Sequence, residues 1–442
     1  MASEPLWGEQ TRLAIDNFAI SGKPWRAPLI CALGLIKAAA ARANRSLGLL
    51  PADLGLAIER AALAVARHEH DDQFPLDVYQ TGSGTSTNMN ANEVISALVA
   101  AEGLQAHPND HVNFGQSSND VIPATIQVAA CLACEGLLDA LEHLIEVIDG
   151  LAETHADQVK TGRTHLMDAV PLTLGQEFGA WAAQLRSNRE RLQDTLCRVA
   201  LLPLGGTAVG TGLNCHPEFA DLAVVALDEL TGVEFSVADN AFEHIAAKDE
   251  CVELSGQLRT LAVSLLKICN DLRWMNSGPI AGLGEIELPA LQAGSSIMPG
   301  KVNPVIPEAL AMVCARVIGN DSCVTLAGQS GNFQLNVMLP VIGDALIESI
   351  ELLDRGMRHL ADKGMAGLRV RQDRLDDLLA RNPILITALN QQLGYARGAE
   401  LAKLAYREGR TIRDVLLEHT DLDAAQLDQW LDPQKLAHGG LV

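Results

Sequence analysis

Apolar residues return at three- and four-residue steps over long stretches of this chain. Between Val121 and His155 the positions Ile122, Ile126, Ala129, Ala133, Leu137, Leu141, Leu144, Ile148 and Leu151 keep that rhythm, which marks one face of an α-helix. At 1.5 Å per residue it predicts a rod of roughly 50 Å. Gly175 to Val199 behaves the same way, as does Phe242 to Met275 through Ile245, Val252, Leu258, Leu261, Leu265, Ile268 and Leu272. Alternating strand patterns are scarce, so the predicted fold class is all-α, organised around a central bundle of long helices.

These helices are apolar on several faces, and a helix that is hydrophobic nearly all round must be buried all round. One chain does not supply enough cover, so burial by further copies is expected, in the closed symmetry usual for homo-oligomers. A homotetramer is the expectation. Glycine and proline clusters interrupt the helical pattern at 82–84, 107–109, 203–212, 278–300 and 364–367, and Gly162 interrupts it again. Loops of this kind carry chemistry. After Gly367 the pattern shortens and gains charge, with Arg369, Arg371, Asp373, Arg374, Asp376 and Asp377 ahead of Asn382-Pro383. A small C-terminal domain is predicted to begin there.

With 442 residues, 48% of them hydrophobic, the chain is long enough for more than one domain and a large core. It contains no unbroken apolar run of about 18 residues and no basic-then-apolar N-terminus, so neither a membrane span nor a secretory signal is expected. The nine cysteines are odd in number and scattered through helical patterns, which reads as reduced core residues in a cytoplasmic protein. Cys131 and Cys134 form a lone C-x-x-C inside an apolar helix and are assigned to packing. A formal charge of −22 repels nucleic acid and anionic membranes, and neither is expected as a partner. An anionic ligand must then be drawn by a few local cations and oriented N–H groups.

Four polar loops stand out from the apolar background. They are Thr81-Gly82-Ser83-Gly84-Thr85-Ser86-Thr87-Asn88, Gln116-Ser117-Ser118-Asn119-Asp120, Gly162-Arg163-Thr164-His165, and Gly294-Ser295-Ser296-Ile297-Met298-Pro299-Gly300-Lys301-Val302-Asn303-Pro304. Any one of them reads equally well as helix capping, since Ser, Thr, Asn and Asp satisfy the orphan N–H groups of helix starts. Together, with His165 and Lys301 as the main cations, they favour a carboxylate-binding site. Gly205-Gly206-Thr207-Ala208-Val209-Gly210-Thr211-Gly212 has no strand leading into it and is read as close helix packing or a tight turn, not a phosphate cradle. His68-Glu69-His70-Asp71-Asp72 lies between helices and is read as a solvated segment, so no metal is expected there.

At these four loops the chain resembles the fumarase/aspartase superfamily, and within it the fumarases that need no metal. The resemblance runs from Leu6-Trp7-Gly8-Glu9-Gln10-Thr11 to Gly409-Arg410-Thr411-Ile412-Arg413, and the segment from Gly294 to Pro304 matches the superfamily signature. It implies a three-domain, mainly helical subunit, divided in this chain as 1–116, 117–368 and 369–442. It also implies a homotetramer with a twenty-helix core, active sites each shared between three subunits, a small dicarboxylate substrate, and no cofactor or metal.

The resemblance further assigns roles. Ser295 is implied as the general base that removes a proton from the carbon next to a carboxylate, and Lys301 and Asn303 as the groups that hold that carboxylate. Proton removal creates an aci-carboxylate with two developing negative charges, so fixed donors and a cation there stabilise the transition state more than the substrate. Serine is a poor base in water, and loop closure, N–H donors and the Lys301 charge must lower its proton affinity. Ser83, Thr85, Ser117, Ser118 and Asn119 are implied as carboxylate binders, Thr164 and His165 as neighbours of the leaving group, and Glu308 as the group that orients His165.

Addition of water to fumarate and elimination of ammonia from aspartate share this machinery. Gln116-Ser117-Ser118-Asn119-Asp120 and Leu204-Gly205-Gly206-Thr207-Ala208-Val209-Gly210 are similar to fumarases, where aspartases tend to carry threonine for Ser118 and alanine for Gly206. Gln334-Leu335-Asn336-Val337-Met338 and Pro340-Val341-Ile342-Gly343 are similar to aspartases instead. The expected activity is reversible anti hydration of fumarate to L-malate; the alternative is a C–N lyase such as aspartate ammonia-lyase. His107, Asn109 and Asp110 match members of a second, surface carboxylate site, although Leu104 stands where arginine is usual.

Overall fold

The computed structural model describes residues 5–440. Four helices, α1 (Glu9–Asn17), α2 (Ala27–Ser46), α3 (Ala52–Ala66) and α4 (Thr85–Ala101), precede the longest element, α5 (Ser118–Thr154). A hairpin of β1 (Val159–Thr164) and β2 (Met167–Thr173) leads into α6 (Leu174–Val199), and α7 (Phe219–Thr231), α8 (Ala241–Ala246), α9 (Asp249–Met275), α10 (Val305–Gly328) and α11 (Leu339–His359) follow. Six short helices from Gln372 to Ala437 complete the described chain. The remaining strand pairings among the described residues are two residues long, so the all-α class holds.

The apolar rhythm reports the long helices well. In α5 the side chains of Ile122, Ile126, Leu137, Leu141, Leu144 and Ile148 are all fully buried, each such burial stabilising the fold by roughly 1.5–3 kcal/mol. Ser118 starts this helix three residues before the apolar pattern does. The predicted single helix from Phe242 to Met275 is broken instead. Ala247 adopts an extended backbone that ends α8, and α9 restarts with Asp249 and Glu250 in its first turn, where carboxylates favour a helix N-terminus. Lys248, fully buried at the break, pairs with Glu250.

Two further expectations change. The segment around Gly162 is not an open loop: residues 159–164 pair antiparallel with 167–173, and the register shifts between Thr161 and Arg163, so Gly162 sits at a bulge. Glycine and proline inside both strands hide the pairing from a pattern reading. Also, α2, α5 and α10 are long and apolar enough to cross a membrane once isolated charges are tolerated. The most apolar windows of α2 and α5 are mostly buried in the chain itself, while that of α10 is only 33% buried. The uncovered face of α10 includes a stripe of Met312, Ala315, Gly319, Ser322 and Leu326, spaced by three and four residues, with Arg316 and Thr325 exposed beside it.

The chain divides into two compact units. One comprises the residues up to Ala140 with Asn188–Val263 and Met312–Arg355; the other comprises Leu141–Ser187, Ser264–Ala311 and the residues from Gly356 onward. The first is built on close packing of α2 with α3 and α7, with Leu29, Leu33, Ile58 and Ala62 fully buried. In the second, Leu389, Val415, Leu416 and Leu427 of the C-terminal helices share a core with Val159 of β1. Asn382 reinforces that base by donating from Nδ2 to the Ala169 carbonyl at 2.8 Å.

Candidate active site

In the first unit, the starts of α4 and α5 bring together the serine- and threonine-rich loops. Gly84 has φ +70° at the N-cap of α4 and packs against Ile122 of α5. Ser83 Oγ and Thr85 Oγ1 lie 2.8 Å apart. From α4, Asn88 Nδ2 donates to Ser118 Oγ at 2.9 Å. Asn119 Nδ2 donates to the Ala208 carbonyl at 2.8 Å, which ties the loop to the glycine-rich turn. Ser117, Ser118 and Asn119 are half-buried, so part of each residue stays exposed.

Asp120 explains why this geometry is stable. Its carboxylate is fully buried and accepts the backbone N–H groups of Ser117 at 2.9 Å, Gly205 at 3.0 Å and Thr207 at 2.9 Å. Gly205 has φ +85° and turns its N–H inward, a conformation that costs glycine little. The turn read from sequence as close packing therefore does bind an anion, an internal one. Burial pushes Asp120 up to about 6, against the pull of those three N–H groups and of Lys37. Lys37 itself, on α2, is fully buried, and its Nζ donates to Asn113 Oδ1 at 2.8 Å and Gln116 Oε1 at 3.0 Å. Burial lowers it to about 7, with Asp120 opposing the shift. Neither its burial nor its partners was legible in the sequence, where Lys37 is one cation inside an apolar helix.

The second unit holds the signature loop, which is stitched together by its own atoms. Gly294 N donates to the Lys301 carbonyl at 2.9 Å, and a Cβ at Gly294 would come within 2.3 Å of that same oxygen. Asn303 Nδ2 donates to the Gly294 carbonyl at 2.7 Å, and Lys301 Nζ donates to Asn303 Oδ1. Ser295 Oγ accepts two backbone N–H groups, from Ile297 at 3.2 Å and Met298 at 3.0 Å. Donors aimed at an oxygen favour its deprotonated form. Lys301, Asn303 and Glu308 line a cavity of about 740 Å³ with Arg273, Trp274 and Arg371.

Thr164 and His165 sit at the exposed tip of the β1–β2 hairpin. His165 and Leu166 have φ of 57° and 60°, the two positive values of a tight hairpin turn. The base of that hairpin is held by charge: Glu285, fully buried, lies 2.8 Å from Lys160 and 2.7 Å from Arg163, and Lys160 also meets Glu177 at 2.6 Å. Glu308 occupies the first turn of α10. Among the described residues of this one chain, no hydrogen bond or ion pair joins Glu308 to His165. The candidate residues thus fall in two sets, Ser83, Thr85, Ser117, Ser118 and Asn119 in the first unit and Thr164, His165, Ser295, Lys301, Asn303 and Glu308 in the second.

His107, Asn109 and Asp110 form a small exposed turn. His107 Nδ1 accepts the N–H groups of Asn109 at 3.3 Å and Asp110 at 3.2 Å, capping the helical turn that follows. His68 Nδ1 lies 3.2 Å from the Asp71 carboxylate, both half-exposed, and among the described residues no group of three or more His, Cys, Asp or Glu side chains is placed to hold a metal. Cys131 and Cys134 are buried free thiols in α5, and the Cys131 thiol is pushed up to about 12, chiefly by burial.

Residues 1–319 match a family of lyases, and residues 385–438 match the C-terminal domain of fumarase C. The chain is 58% identical over 441 residues to the class II fumarate hydratase of Xylella fastidiosa, a match covering 99% of this chain and 93% of that one. It is 56% identical to class II fumarate hydratase 2 of Pseudomonas aeruginosa, covering 99% and 96%. The crystal structure of class II fumarase from Schistosoma mansoni superposes with a TM-score of 0.96 at 35% identity, covering 99% of this chain and 96% of that one. This chain belongs to the lyase family, in its class II fumarate hydratase branch.

Proposed function

We propose that the protein is a fumarate hydratase that interconverts fumarate and L-malate, with Ser295 as the base. One observation carries the catalytic reading: Ser295 Oγ already receives two backbone N–H groups in a loop that also holds the hydrogen-bonded pair Lys301 and Asn303. In the dehydration direction Ser295 takes the proton from the carbon beside one carboxylate. Lys301 and Asn303 hold that carboxylate as it becomes the doubly charged aci form, and this stabilisation grows toward the transition state. His165, with Thr164, stands at the hydroxyl that departs as water on the opposite face. Ser83, Thr85, Ser117, Ser118 and Asn119 anchor the substrate carboxylates.

The two sets of residues meet between copies of the chain. We read the subunit as the three parts 1–116, 117–368 and 369–442, and the assembly as a homotetramer in which each site draws on three subunits and Glu308 orients an imidazole there. Two features support this. Among the described residues five helices, α5, α6, α9, α10 and α11, exceed twenty residues, so four copies supply a core of twenty. The bare stripe on α10 is made of small and apolar side chains suited to packing on another helix. The nine free cysteines fit a reducing, cytoplasmic setting. The capped turn at His107, Asn109 and Asp110 supports a structural job more directly than a second carboxylate site.

Fumarate absorbs in the ultraviolet, and following it after adding L-malate or L-aspartate tests the assignment. Fumarate formed from L-malate alone is the expected result. Fumarate formed only from L-aspartate would make the protein a C–N lyase.

A further inference from the structure

The Ser118 hydroxyl ends a chain of partly buried hydrogen bonds that begins at the Lys37 amine. Lys37 Nζ donates to Asn113 Oδ1 at 2.8 Å. That oxygen also accepts from Asn88 Nδ2 at 3.2 Å, and the same Asn88 nitrogen donates to Ser118 Oγ at 2.9 Å. The other end of the Asn113 amide donates to the Gln116 carbonyl at 3.1 Å. Every side-chain amide in this chain has an oxygen end and a nitrogen end of almost equal size, so its direction is set by neighbours of fixed polarity. Two neighbours of Asn113 have fixed polarity: the Gln116 main-chain carbonyl only accepts, and the Lys37 amine, held against two oxygens, donates to both whether or not it carries its extra proton.

That polarity propagates. With Lys37 donating at one end and the Gln116 carbonyl accepting at the other, Asn113 turns its oxygen toward Lys37, and Asn88 then presents its nitrogen to Asn113 and to Ser118 together. The orientation leaves Asn88 Oδ1 buried without a partner, so the neighbours of its nitrogen, not of its oxygen, hold the amide this way. Ser118 Oγ therefore accepts from below, and none of the described residues takes its proton. A carboxylate arriving at the open side needs that proton as a donor. If Asn88 were inverted, its oxygen would draw the hydroxyl proton inward and leave lone pairs facing the incoming charge.

We infer that Lys37 is a positioning residue for substrate binding, which together with the Gln116 carbonyl fixes the direction of the Asn113–Asn88–Ser118 hydrogen bonds so that Ser118 donates to a substrate carboxylate. This rests on the reading that Ser118 binds substrate. It assigns work to a side chain that never meets the ligand, and it accounts for a lysine kept fully buried in α2.

A double-mutant cycle on the full chain tests it, with kcat and KM for L-malate measured for Lys37→Met, Ser118→Ala and the pair. Ser118→Ala is expected to raise KM about tenfold, the loss of one hydrogen bond to a charged group. Lys37→Met is expected to raise KM by a similar factor with kcat changed less than about threefold, and the pair to be no worse than Ser118→Ala alone. Multiplying effects in the pair, or an unchanged KM for Lys37→Met beside a raised one for Ser118→Ala, would overturn the inference alone. An unchanged KM for Ser118→Ala would remove the substrate-binding reading and the inference with it. Should Lys37→Met fail to fold, Asn88→Ala takes its place in the same cycle, with the same outcomes deciding.

Discussion

The serine pocket of the first unit and the signature loop of the second are both rich in small polar side chains, yet they are held in opposite ways. Ser117, Ser118 and Asn119 rest on buried groups drawn from α2, α4 and the glycine-rich turn, with Asp120 collecting three backbone N–H groups beneath them. In the signature loop, among the described residues, Gly294, Ser295, Lys301 and Asn303 hydrogen-bond one another and the backbone between them. A site braced from behind is preformed for binding. A loop held by its own local bonds is able to move as one piece with Ser295 and its two N–H donors kept aligned, which suits the proposed base if it is to be activated only when substrate is enclosed. Perturbing the pocket should therefore cost binding and stability, and perturbing the loop should cost turnover.

Ser295→Ala gives the largest effect. It removes the proposed base and should lower kcat about 10³-fold, within the usual range for a positioned proton-transfer group. The assembly should be untouched, since the loop contributes no core. Steady-state kinetics beside size-exclusion chromatography checks both halves, and near-normal turnover would remove Ser295 from the mechanism. Gly294→Ala is subtler. The added methyl carbon would meet the Lys301 carbonyl at 2.3 Å, which breaks the stitch that spaces Ser295 from Lys301. A fall in kcat of about 10²-fold is expected, as for a small misplacement of reacting groups, with the melting midpoint moving little. A large drop in the midpoint instead would mean that the loop is braced after all.

Asp120→Ala breaks the comparison from the other side. It orphans the N–H groups of Ser117, Gly205 and Thr207 and leaves Lys37 without its nearest counter-charge. Removing one member of a buried charged network costs about 3 kcal/mol, so the melting midpoint should fall by about 5 °C. KM should rise as the Ser117–Asn119 loop loses its floor. A variant with raised KM but an unchanged midpoint would show that the pocket is not braced through Asp120.

The contrast also explains what the sequence disclosed. Long helices were legible because a buried face repeats with the helical period, as Leu137, Leu141 and Leu144 do in α5. The break before α9 was not, because Ala247 and Lys248 interrupt the backbone without a glycine or proline to announce it. The β1–β2 hairpin was hidden by Gly162 at its bulge and by charged residues, Lys160 and Arg163, that turn inward to meet Glu285. In the signature loop the chemistry is local, so a hydroxyl pair, a cation and an amide stand out within one glycine-bracketed segment, and the resemblance to the superfamily assigns the roles of Ser295, Lys301 and Asn303. The pocket is nonlocal. Lys37, Asn88, Asn113 and Gly205 converge on it from four separate segments, and only the folded chain brings them together.

The smallest predicted effect concerns the pH dependence of that convergence. The Lys37 amine is lowered from 10.5 to about 7 by burial, so between those values the unfolded chain carries a proton that the folded chain lacks. Stability then rises with pH across this window, because the unfolded state binds more protons. Asp120, raised from 3.8 to about 6 by burial, has the opposite sign: its contribution is complete below 3.8 and is lost as pH climbs through about 6. Above pH 7 it stays ionised, so of these two groups Lys37 is the one that titrates. Comparing thermal midpoints at pH 7 and pH 9 isolates the lysine: wild type should gain on Lys37→Met by at most roughly 2 kcal/mol, since a full proton difference is worth about 1.4 kcal/mol for each step of one in pH. A gap that stays constant between the two pH values would mean that Lys37 keeps its proton when buried. The direction of the hydrogen bonds to Ser118 would survive that result, because the ammonium and the amine both donate to Asn113, and the stability of the pocket would then owe nothing to proton release.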